Sequence, residues 1–163
     1  MLNPYDEKKT ECKVAGRLFR EGDKVMQIKN NYDIPWERGA ESGSGLFNGD
    51  IGIISEINVK NECMRIVFDD DREVVSPIAS AAELELAYAV TVHKSQGSEY
   101  DCVLMPVADV PPMLLYRNLL YTAITRAKKM IIIVGNREKL DKMIENNKQN
   151  KRYSMLKTML KEN

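Results

Sequence analysis

The amino-acid sequence predicts an α/β fold, in which a small antiparallel β-barrel precedes a parallel sheet flanked by helices. Two changes of pattern support this prediction. Between about residues 22 and 77, short apolar stretches alternate with turn residues, as where Asn48-Gly49 precedes Ile51-Gly52-Ile53-Ile54. From residue 84 onward, apolar β-rich runs alternate with helical patterns. That order is typical of parallel strands joined by right-handed crossovers.

The predicted barrel consists of short strands separated by polar turns. Met64, Ile66 and Phe68 alternate with other residues at the period of a half-buried strand. The segment 34–46 is rich in glycine and serine, so we expect a mobile loop there. Within that loop Trp36 is either a packing residue or a base-stacking residue. The strands are expected near residues 25–28, 51–54, 64–68 and 73–75.

The second half of the chain is predicted to alternate strands and helices. A helix is expected over Pro111–Ala127, because proline is tolerated in the first turn of a helix. The run Met130–Val134 is apolar and mostly β-branched, as expected for a parallel strand covered on both faces. A further helix begins near Arg137. The predicted parallel strands are Leu84–Val92, Cys102–Val107 and Met130–Val134.

These elements suggest four parts of the chain. Residues 1–17 form a lead-in, and residues 18–83 form the barrel. Residues 84–150 form the α/β domain, and residues 151–163 form a C-terminal amphipathic helix. The opening looks as if it continues an earlier part of a longer protein.

Composition narrows the class of protein. The 24 basic and 24 acidic residues balance, which argues against a protein that coats nucleic acid by bulk charge. Charge is nevertheless uneven: residues 1–83 carry 11 basic and 16 acidic side chains, whereas residues 137–163 carry 8 and 4. No apolar run is long enough to cross a bilayer, so no membrane partner is expected. Three widely spaced cysteines suggest neither a disulfide framework nor a metal site, and favour a cytoplasmic location.

A cluster of polar residues follows the first predicted strand of the α/β domain, in the segment 89–101. Ligands of open parallel sheets bind where strands end, because exposed backbone N–H groups meet there. Hydroxyl groups can donate to phosphate oxygens, a glycine allows close approach to the backbone, and a carboxylate can accept from a sugar hydroxyl. A single histidine is more often structural, but its polar neighbours favour a functional role here. The candidate residues are Thr91, His93, Lys94, Ser95, Gly97 and Glu99.

A second cluster lies on the predicted helix, in the segment 118–129. Asn118, Thr122, Thr125 and Arg126 share one polar stripe at helical spacing. The pattern allows two interpretations of Arg126. It is either a surface cation near a helix end, where the helix dipole favours it, or a functional cation held on a packed helix.

The two clusters resemble motifs V and VI of superfamily 1 helicases in their RecD-like form. They read T-V-H-K-S-Q-G-S-E from Thr91 and L-Y-T-A-I-T-R-A-K from Leu120. The resemblance extends upstream to the stretches Gly22–Asp33 and Phe47–Gly52, and covers roughly residues 18–150. In RecD-like enzymes those stretches belong to an SH3-like barrel inserted into the second RecA-like domain. The resemblance therefore implies a parallel RecA-like sheet with an SH3-like barrel.

The resemblance also implies roles for particular residues. Arg126 matches the arginine finger that reaches the γ-phosphate of ATP between two RecA-like domains. Gly97 and Glu99 match positions on the nucleotide side, and Glu99 lies near the ribose. Thr91 and His93 match positions that face single-stranded DNA, and Lys94 and Ser95 join that DNA-binding set. RecD-like enzymes move 5′ to 3′ along the strand that they grip, which implies the same polarity here.

One feature of the family is absent from this sequence. No G-x-x-x-x-G-K-[ST] segment occurs, so the lysine and backbone cradle that hold the β- and γ-phosphates must come from elsewhere. We therefore expect the ATP and Mg²⁺ site to be completed by an N-terminal P-loop domain of the same parent protein. Two alternatives stay open: a nucleic-acid-binding or docking module without ATPase activity, and the helicase section of a conjugative relaxase.

Overall fold

A computed structural model describes residues 2–108 and 111–147 of the chain. They divide into two compact units, and the division falls between Lys94 and Ser95. The boundary expected from the sequence lay at residue 84. The difference arises because Leu84–Leu86 pairs antiparallel with a strand of the first unit. Within the described ranges, no helix has both the length and the apolar character needed to cross a bilayer.

The first unit contains a seven-stranded antiparallel sheet. Its strands follow the order β5-β4-β8-β7-β6-β3-β9. A separate hairpin, β1–β2, precedes the sheet, although the opening of the chain was expected to be irregular. The strands are β1 (Glu11–Val14), β2 (Arg17–Arg20), β3 (Lys24–Gln27), β4 (Asn31–Arg38), β5 (Glu41–Leu46), β6 (Ile51–Asn58), β7 (Cys63–Phe68), β8 (Glu73–Pro77) and β9 (Leu84–Leu86).

The core of the first unit follows the alternation seen in the sequence. Met64, Ile66 and Phe68 of β7 are buried, as are Ile54 of β6 and Val74 of β8. Successive residues of a strand point to opposite faces, so these side chains share one face of the sheet. The four strands predicted for the barrel are thus confirmed. Phe19 of β2 is fully buried in the same core, which ties the first hairpin to it.

The segment 34–46 is not a loop, and that expectation was wrong. It belongs to the hairpin formed by β4 and β5, in which Trp36 lies opposite Gly43. A Cβ atom on Gly43 would lie 2.5 Å from Cζ2 of Trp36. The glycine is therefore needed for the close approach of the indole ring and is no sign of mobility. Trp36 packs against the core, in agreement with the first of its two interpretations.

The second unit contains a parallel pair of strands, β10 (Tyr100–Val107) and β11 (Ala127–Gly135). Helix α1 (Arg117–Ile124) connects them, and helix α2 (Arg137–Glu145) follows β11. The prediction of a parallel strand over Leu84–Val92 was wrong. Its first three residues form β9 in the first unit, and none of the segment pairs with β10 or β11.

The helices of the second unit begin where local chemistry permits. The predicted helix over Pro111–Ala127 is shorter in the structure, because residues 112–114 form a separate 3₁₀ turn before α1. Helix α2 begins at the predicted position. The Asn136 side chain caps it by accepting hydrogen bonds from the backbone N–H groups of Glu138 and Lys139. The predicted helix over 151–163 lies outside the described residues.

One face of the parallel pair is packed and the other is not. Met105 and Val107 of β10 are buried, together with Leu119 and Leu120 of α1. On β11, by contrast, Met130, Ile132 and Val134 are exposed among the described residues. Among the residues that the structure describes, Met130–Val134 is therefore not covered on both faces, in contrast to the expectation from the sequence.

Candidate functional site

The first polar cluster is divided between the two units. Thr91, His93 and Lys94 belong to the first unit, whereas Ser95 and the residues after it belong to the second. The structure forms turns over residues 92–97. Thr91 Oγ1 accepts a hydrogen bond from the backbone N–H of Lys94 over 3.2 Å, which stabilises the start of the turn. Thr91 and His93 are both exposed.

Lys94 is engaged in an ion pair within the first unit. Its ammonium group contacts the carboxylate of Glu85 on β9. The hydrogen bond from Lys94 lowers the pKa of Glu85, and the charge of nearby Arg17 acts in the same direction. Arg17 Nη2 lies 3.3 Å from Glu85 Oε1, and Arg17 Nη1 donates to the carbonyl of Leu84 over 2.9 Å. Glu85 thus binds Lys94, one of the residues that the family resemblance placed in the DNA-binding set.

The second half of the cluster leads into β10. Ser95 is only 6% exposed, which leaves little of its surface for a ligand. Its carbonyl accepts from the backbone N–H of Ser98 over 3.1 Å. Gly97 is exposed and has a φ of +88°, a left-handed conformation that favours glycine. Apart from Gly97 and its two chain neighbours, no atom of the described residues lies within 4 Å of the position its Cβ would take, so the backbone is open at this point. Glu99 is exposed immediately before β10.

Arg126 is fixed at the junction between α1 and β11. Its backbone N–H donates to the carbonyl of Ala123 over 3.2 Å, and its own carbonyl accepts from Tyr100 over 2.8 Å. The guanidinium donates from Nη1 to the carbonyl of Ser98 over 3.1 Å, and from Nη2 to Thr125 Oγ1 over 3.4 Å. Its Nε is buried and has no hydrogen-bond partner in the described structure. An unsatisfied buried donor is costly, so this Nε stands out in the described structure as a donor whose hydrogen bond is not formed.

Arg126 and Glu99 lie at the same end of the strand pair. Tyr100 is in register with Ala127, so both residues immediately precede the paired strands. Glu99 also forms an ion pair with Lys128 over 3.7 Å. The site therefore stands at the amino-terminal end of β10 and β11. We expected it at the carboxyl end of a parallel strand, and that expectation was wrong because Leu84–Val92 does not join this sheet.

The polar stripe of α1 is satisfied internally. The hydroxyl of Thr122 donates to the carbonyl of Asn118 over 2.8 Å, and that of Thr125 donates to the carbonyl of Thr122 over 3.0 Å. Such hydrogen bonds to the preceding turn are common for helical threonines. The hydrogen bond to Thr122 fixes the position of the Thr125 hydroxyl, and its oxygen accepts from Arg126 Nη2. The hydroxyl of Thr122 is thus engaged by the helix backbone at the carbonyl of Asn118.

Sequence reasoning placed Thr125 on the polar stripe with Arg126, but it missed other residues that hold the candidate side chains. The carbonyl of Ser98 holds the guanidinium of Arg126 together with Thr125, and Glu85 holds Lys94. The hydroxyl of Tyr100 is buried without a hydrogen-bond partner in the described structure. The contact of Arg126 with Ser98 has no signal in the sequence, since it joins segments 28 residues apart through a backbone carbonyl. Across residues 2–108 and 111–147, no group of three or more metal-ligating side chains is placed to hold an ion.

Comparison with known families divides the chain into two parts. Residues 1–68 match the family model described as the ATP-dependent RecD-like DNA helicase SH3 domain. Residues 86–134 match the family model described as the UvrD-like helicase C-terminal domain. The two matches follow one another along the chain in the same order as the predicted barrel and α/β domain.

Two relatives match most of the chain. The chain is 37% identical over 125 residues to the ATP-dependent RecD2 DNA helicase of Deinococcus radiodurans. That alignment covers 76% of this chain and 16% of the relative. It is 35% identical over 103 residues to the RecBCD enzyme subunit RecD of Mycolicibacterium smegmatis, covering 63% of this chain and 18% of that protein. The chain thus spans less than a fifth of the length of either relative.

A solved structure shows the same fold. The Pif1 helicase from Bacteroides, determined in complex with ADP-AlF3 and ssDNA, aligns with a TM-score of 0.52. The alignment covers 88% of this chain and 33% of that protein, at 18% sequence identity. The predicted fold class, α/β with an SH3-like antiparallel part, is therefore confirmed.

Proposed function

We propose that this chain, which belongs to the RecD-like superfamily 1 helicases, forms the C-terminal part of an ATP-dependent 5′-to-3′ DNA helicase. In this proposal the chain contributes an arginine finger, Arg126, and contacts to single-stranded DNA. An N-terminal P-loop domain of the parent protein supplies the phosphate cradle. The proposal joins the family matches to the side chains of Glu99 and Arg126 at the amino-terminal end of β10 and β11.

The environment of Arg126 is the observation that carries the proposal. The guanidinium is held by a backbone carbonyl and a threonine hydroxyl, and its Nε still lacks an acceptor in the described structure. An arginine held in this way can turn its remaining donors toward a γ-phosphate without first losing a carboxylate partner. In phosphoryl transfer, such an arginine stabilises charge that develops in the transition state, and contributes ~10³–10⁵ in rate.

The nucleotide is proposed to approach the amino-terminal end of β10 and β11. Gly97 offers open backbone there, and the exposed carboxylate of Glu99 is able to accept from a ribose hydroxyl. The sequence has no P-loop, so Mg²⁺ and the β- and γ-phosphates are proposed to be held by the parent's other domain. Mg²⁺ would neutralise phosphate charge in that domain, while this chain would supply only the arginine and the ribose contact.

Single-stranded DNA is proposed to contact the start of the turn. Thr91 and His93 are exposed and can donate to phosphate oxygens. Lys94 would have to break its ion pair with Glu85 before its ammonium group could contact a phosphate of the DNA. The buried Ser95 is better suited to shape the turn than to contact DNA directly.

A substitution in the full-length parent tests the proposal. Arg126→Ala is expected to lower the turnover number for DNA-stimulated ATP hydrolysis by roughly 10³-fold or more, and to leave the affinity for single-stranded DNA unchanged. Lys129→Ala is the matched control, since Lys129 is a nearby cation that pairs with Asp101 over 2.9 Å. Its removal is expected to leave hydrolysis within about twofold of the unsubstituted parent, as for loss of a surface ion pair.

Two results would contradict the proposal. Equal loss of hydrolysis and DNA binding in Arg126→Ala would mean that Arg126 is structural. A parent reading frame without an upstream P-loop would instead favour a binding module that has no ATPase activity. Unwinding assays on substrates with 5′ or 3′ single-stranded tails then test the proposed polarity.

A further inference from the structure

The first unit carries an exposed pair of aromatic rings that the proposed site does not use. Tyr32 is 64% exposed and Phe47 is 46% exposed. Their ring centroids lie 5.8 Å apart with an interplanar angle of 79°, an edge-to-face arrangement. The two rings come from Gly22–Asp33 and Phe47–Gly52, the two stretches of the first unit that stood out in the sequence.

The structure brings these two stretches together at one point. The backbone N–H of Asn48 donates to Asn30 Oδ1 over 2.9 Å, and the backbone N–H of Gly49 donates to the carbonyl of Gln27 over 2.9 Å. Gln27 is buried, so the junction rests directly on the sheet. The aromatic pair is therefore carried by two segments that are fixed to each other.

The backbone under the rings is held as well. Phe47 N–H donates to Asp50 Oδ2 over 2.9 Å, and Arg72 Nη2 donates to the same oxygen over 2.7 Å. Gly45 has a φ of +108°, and the position of its Cβ would lie 3.6 Å from Cζ of Phe47 and 3.8 Å from Cα of Tyr32. A Cβ would fit at these distances, so glycine is needed there for the positive φ of the hairpin backbone and not for space beside the rings. Fixed, exposed aromatic rings lose little conformational entropy when a flat ligand stacks on them.

We propose that the Tyr32–Phe47 pair is a stacking site for unpaired nucleobases of single-stranded DNA. The proposal rests on the function proposed above, because it assumes that the strand gripped by the parent also passes the first unit. Every base has a π-face, so aromatic side chains bind single strands with little sequence preference. Polar residues lie near the two rings in the sequence: Lys29, Asn30 and Asn48. The asparagine amide groups could bind the polar edge of a base, and the exposed cation of Lys29 could bind a phosphate.

Charge decides in favour of stacking as the main interaction. Residues 1–83 carry five more acidic than basic side chains, so this unit does not attract phosphates strongly. Of the nearby carboxylates, Asp50 is neutralised by Arg72 over 2.7 Å, whereas Asp33 follows Tyr32 and is exposed. A site of this kind recognises bases more than backbone. Its contribution to affinity should therefore vary little with salt.

The test is a fluorescence titration of an oligothymidylate that contains one 2-aminopurine, using the whole 163-residue chain and the full-length parent. Tyr32→Ala and Phe47→Ala are each expected to weaken binding by roughly fivefold or more, with an unchanged slope of affinity against salt. Tyr32→Phe and Phe47→Tyr are expected to keep the affinity, because the ring is retained. Tyr5→Ala is the matched control, since Tyr5 is 67% exposed on the same unit.

The variants separate this proposal from simpler explanations. Phe47→Leu keeps an apolar side chain but no ring, so full affinity in that variant would overturn stacking. Equal effects of Tyr32→Ala and Tyr5→Ala would overturn it as well. Single-strand binding that is normal in all variants would refute the stacking site and leave the proposed function intact. Failure of the unsubstituted parent to bind single strands would refute both.

Discussion

The ion pair between Lys94 and Glu85 yields a prediction about DNA binding. Lys94 belongs to the set of residues assigned to DNA from the sequence, yet the structure pairs it with a carboxylate of β9. Glu85→Gln removes that negative charge and keeps the size of the side chain. Arg17 would retain its hydrogen bond to the carbonyl of Leu84, so the substitution releases Lys94 more than Arg17. If Lys94 contacts phosphate, the variant should bind single-stranded DNA more tightly.

The structure sets the size of the effect. The side chains of Lys94 and Glu85 are 36% and 35% exposed, so their pair is of the surface kind, worth ~0–1 kcal/mol. Releasing the lysine should therefore raise the affinity by at most about fivefold. One added phosphate contact should also steepen the log–log salt dependence by about 0.7. The affinity at ~50 mM salt divided by the affinity at ~200 mM salt should therefore be about 2.6 times larger in Glu85→Gln than in the unsubstituted chain.

The pH of the measurement follows from the direction of the pKa shift. Lys94 lowers the pKa of Glu85, so the carboxylate is ionised above the ordinary value of ~4.3 and stays ionised somewhat below it. The stability that the pair contributes is present above that ordinary value and is lost as pH falls through the lowered one. Near neutral pH the pair is intact, and Glu85→Gln removes a full charge.

The assay is fluorescence anisotropy with a labelled oligothymidylate over a salt series at neutral pH. Lys94→Met alone is expected to keep the slope of the unsubstituted chain, because the paired lysine makes no phosphate contact there. In a chain that already carries Lys94→Met, Glu85→Gln is expected to leave the slope unchanged, because no lysine is present to be released. A Glu85→Gln variant with the original slope and affinity would show that Lys94 is a brace for the turn. Weaker binding in that variant would refute the reasoning more strongly, because the ion pair would then support the DNA contact.

Two further predictions concern the chain by itself. Because it has no P-loop, the purified chain is expected to show no DNA-stimulated ATP hydrolysis in a phosphate-release assay, and sustained turnover would refute the divided site. Gly52→Ala places a Cβ 2.7 Å from the carbonyl oxygen of Val67, so it is expected to destabilise the first unit by ~1–3 kcal/mol. Denaturant unfolding followed by fluorescence of Trp36, the single tryptophan, measures that loss, with Ile53→Val as the control; equal stability of the two variants would contradict it.

The sequence was informative where structure depends on neighbouring residues. Alternation over Met64–Phe68 predicted a half-buried strand, and the helix after Asn136 begins where its capping residue stands. The two motif segments predicted the family, and the change from turn-separated strands to alternating strands and helices predicted the fold class. Each of these features is written in residues close to one another, so pattern and chemistry are sufficient to read them.

The segments that were misassigned depend on distant partners. Glycine and serine in 34–46 suggested mobility. In the structure, Gly43 instead leaves space for the ring of Trp36, which lies against it across the hairpin. Leu84–Leu86 looked like a parallel strand, but its partner is β3, about 60 residues earlier in the chain. An apolar run has the same local pattern in either sheet, so only strand pairing decides where it belongs.

The sequence by itself determined which residue types could do the chemistry: a cation on a packed helix, an open glycine, and a turn with hydroxyl groups. Tertiary structure alone decided what those groups contact. It places Arg126 beside the carbonyl of Ser98 with Nε unpartnered, pairs Lys94 with Glu85, buries Ser95, and exposes Tyr32 and Phe47 together. The physical reason is that hydrogen bonds, ion pairs and burial depend on distances between segments far apart in the chain, which local pattern does not encode.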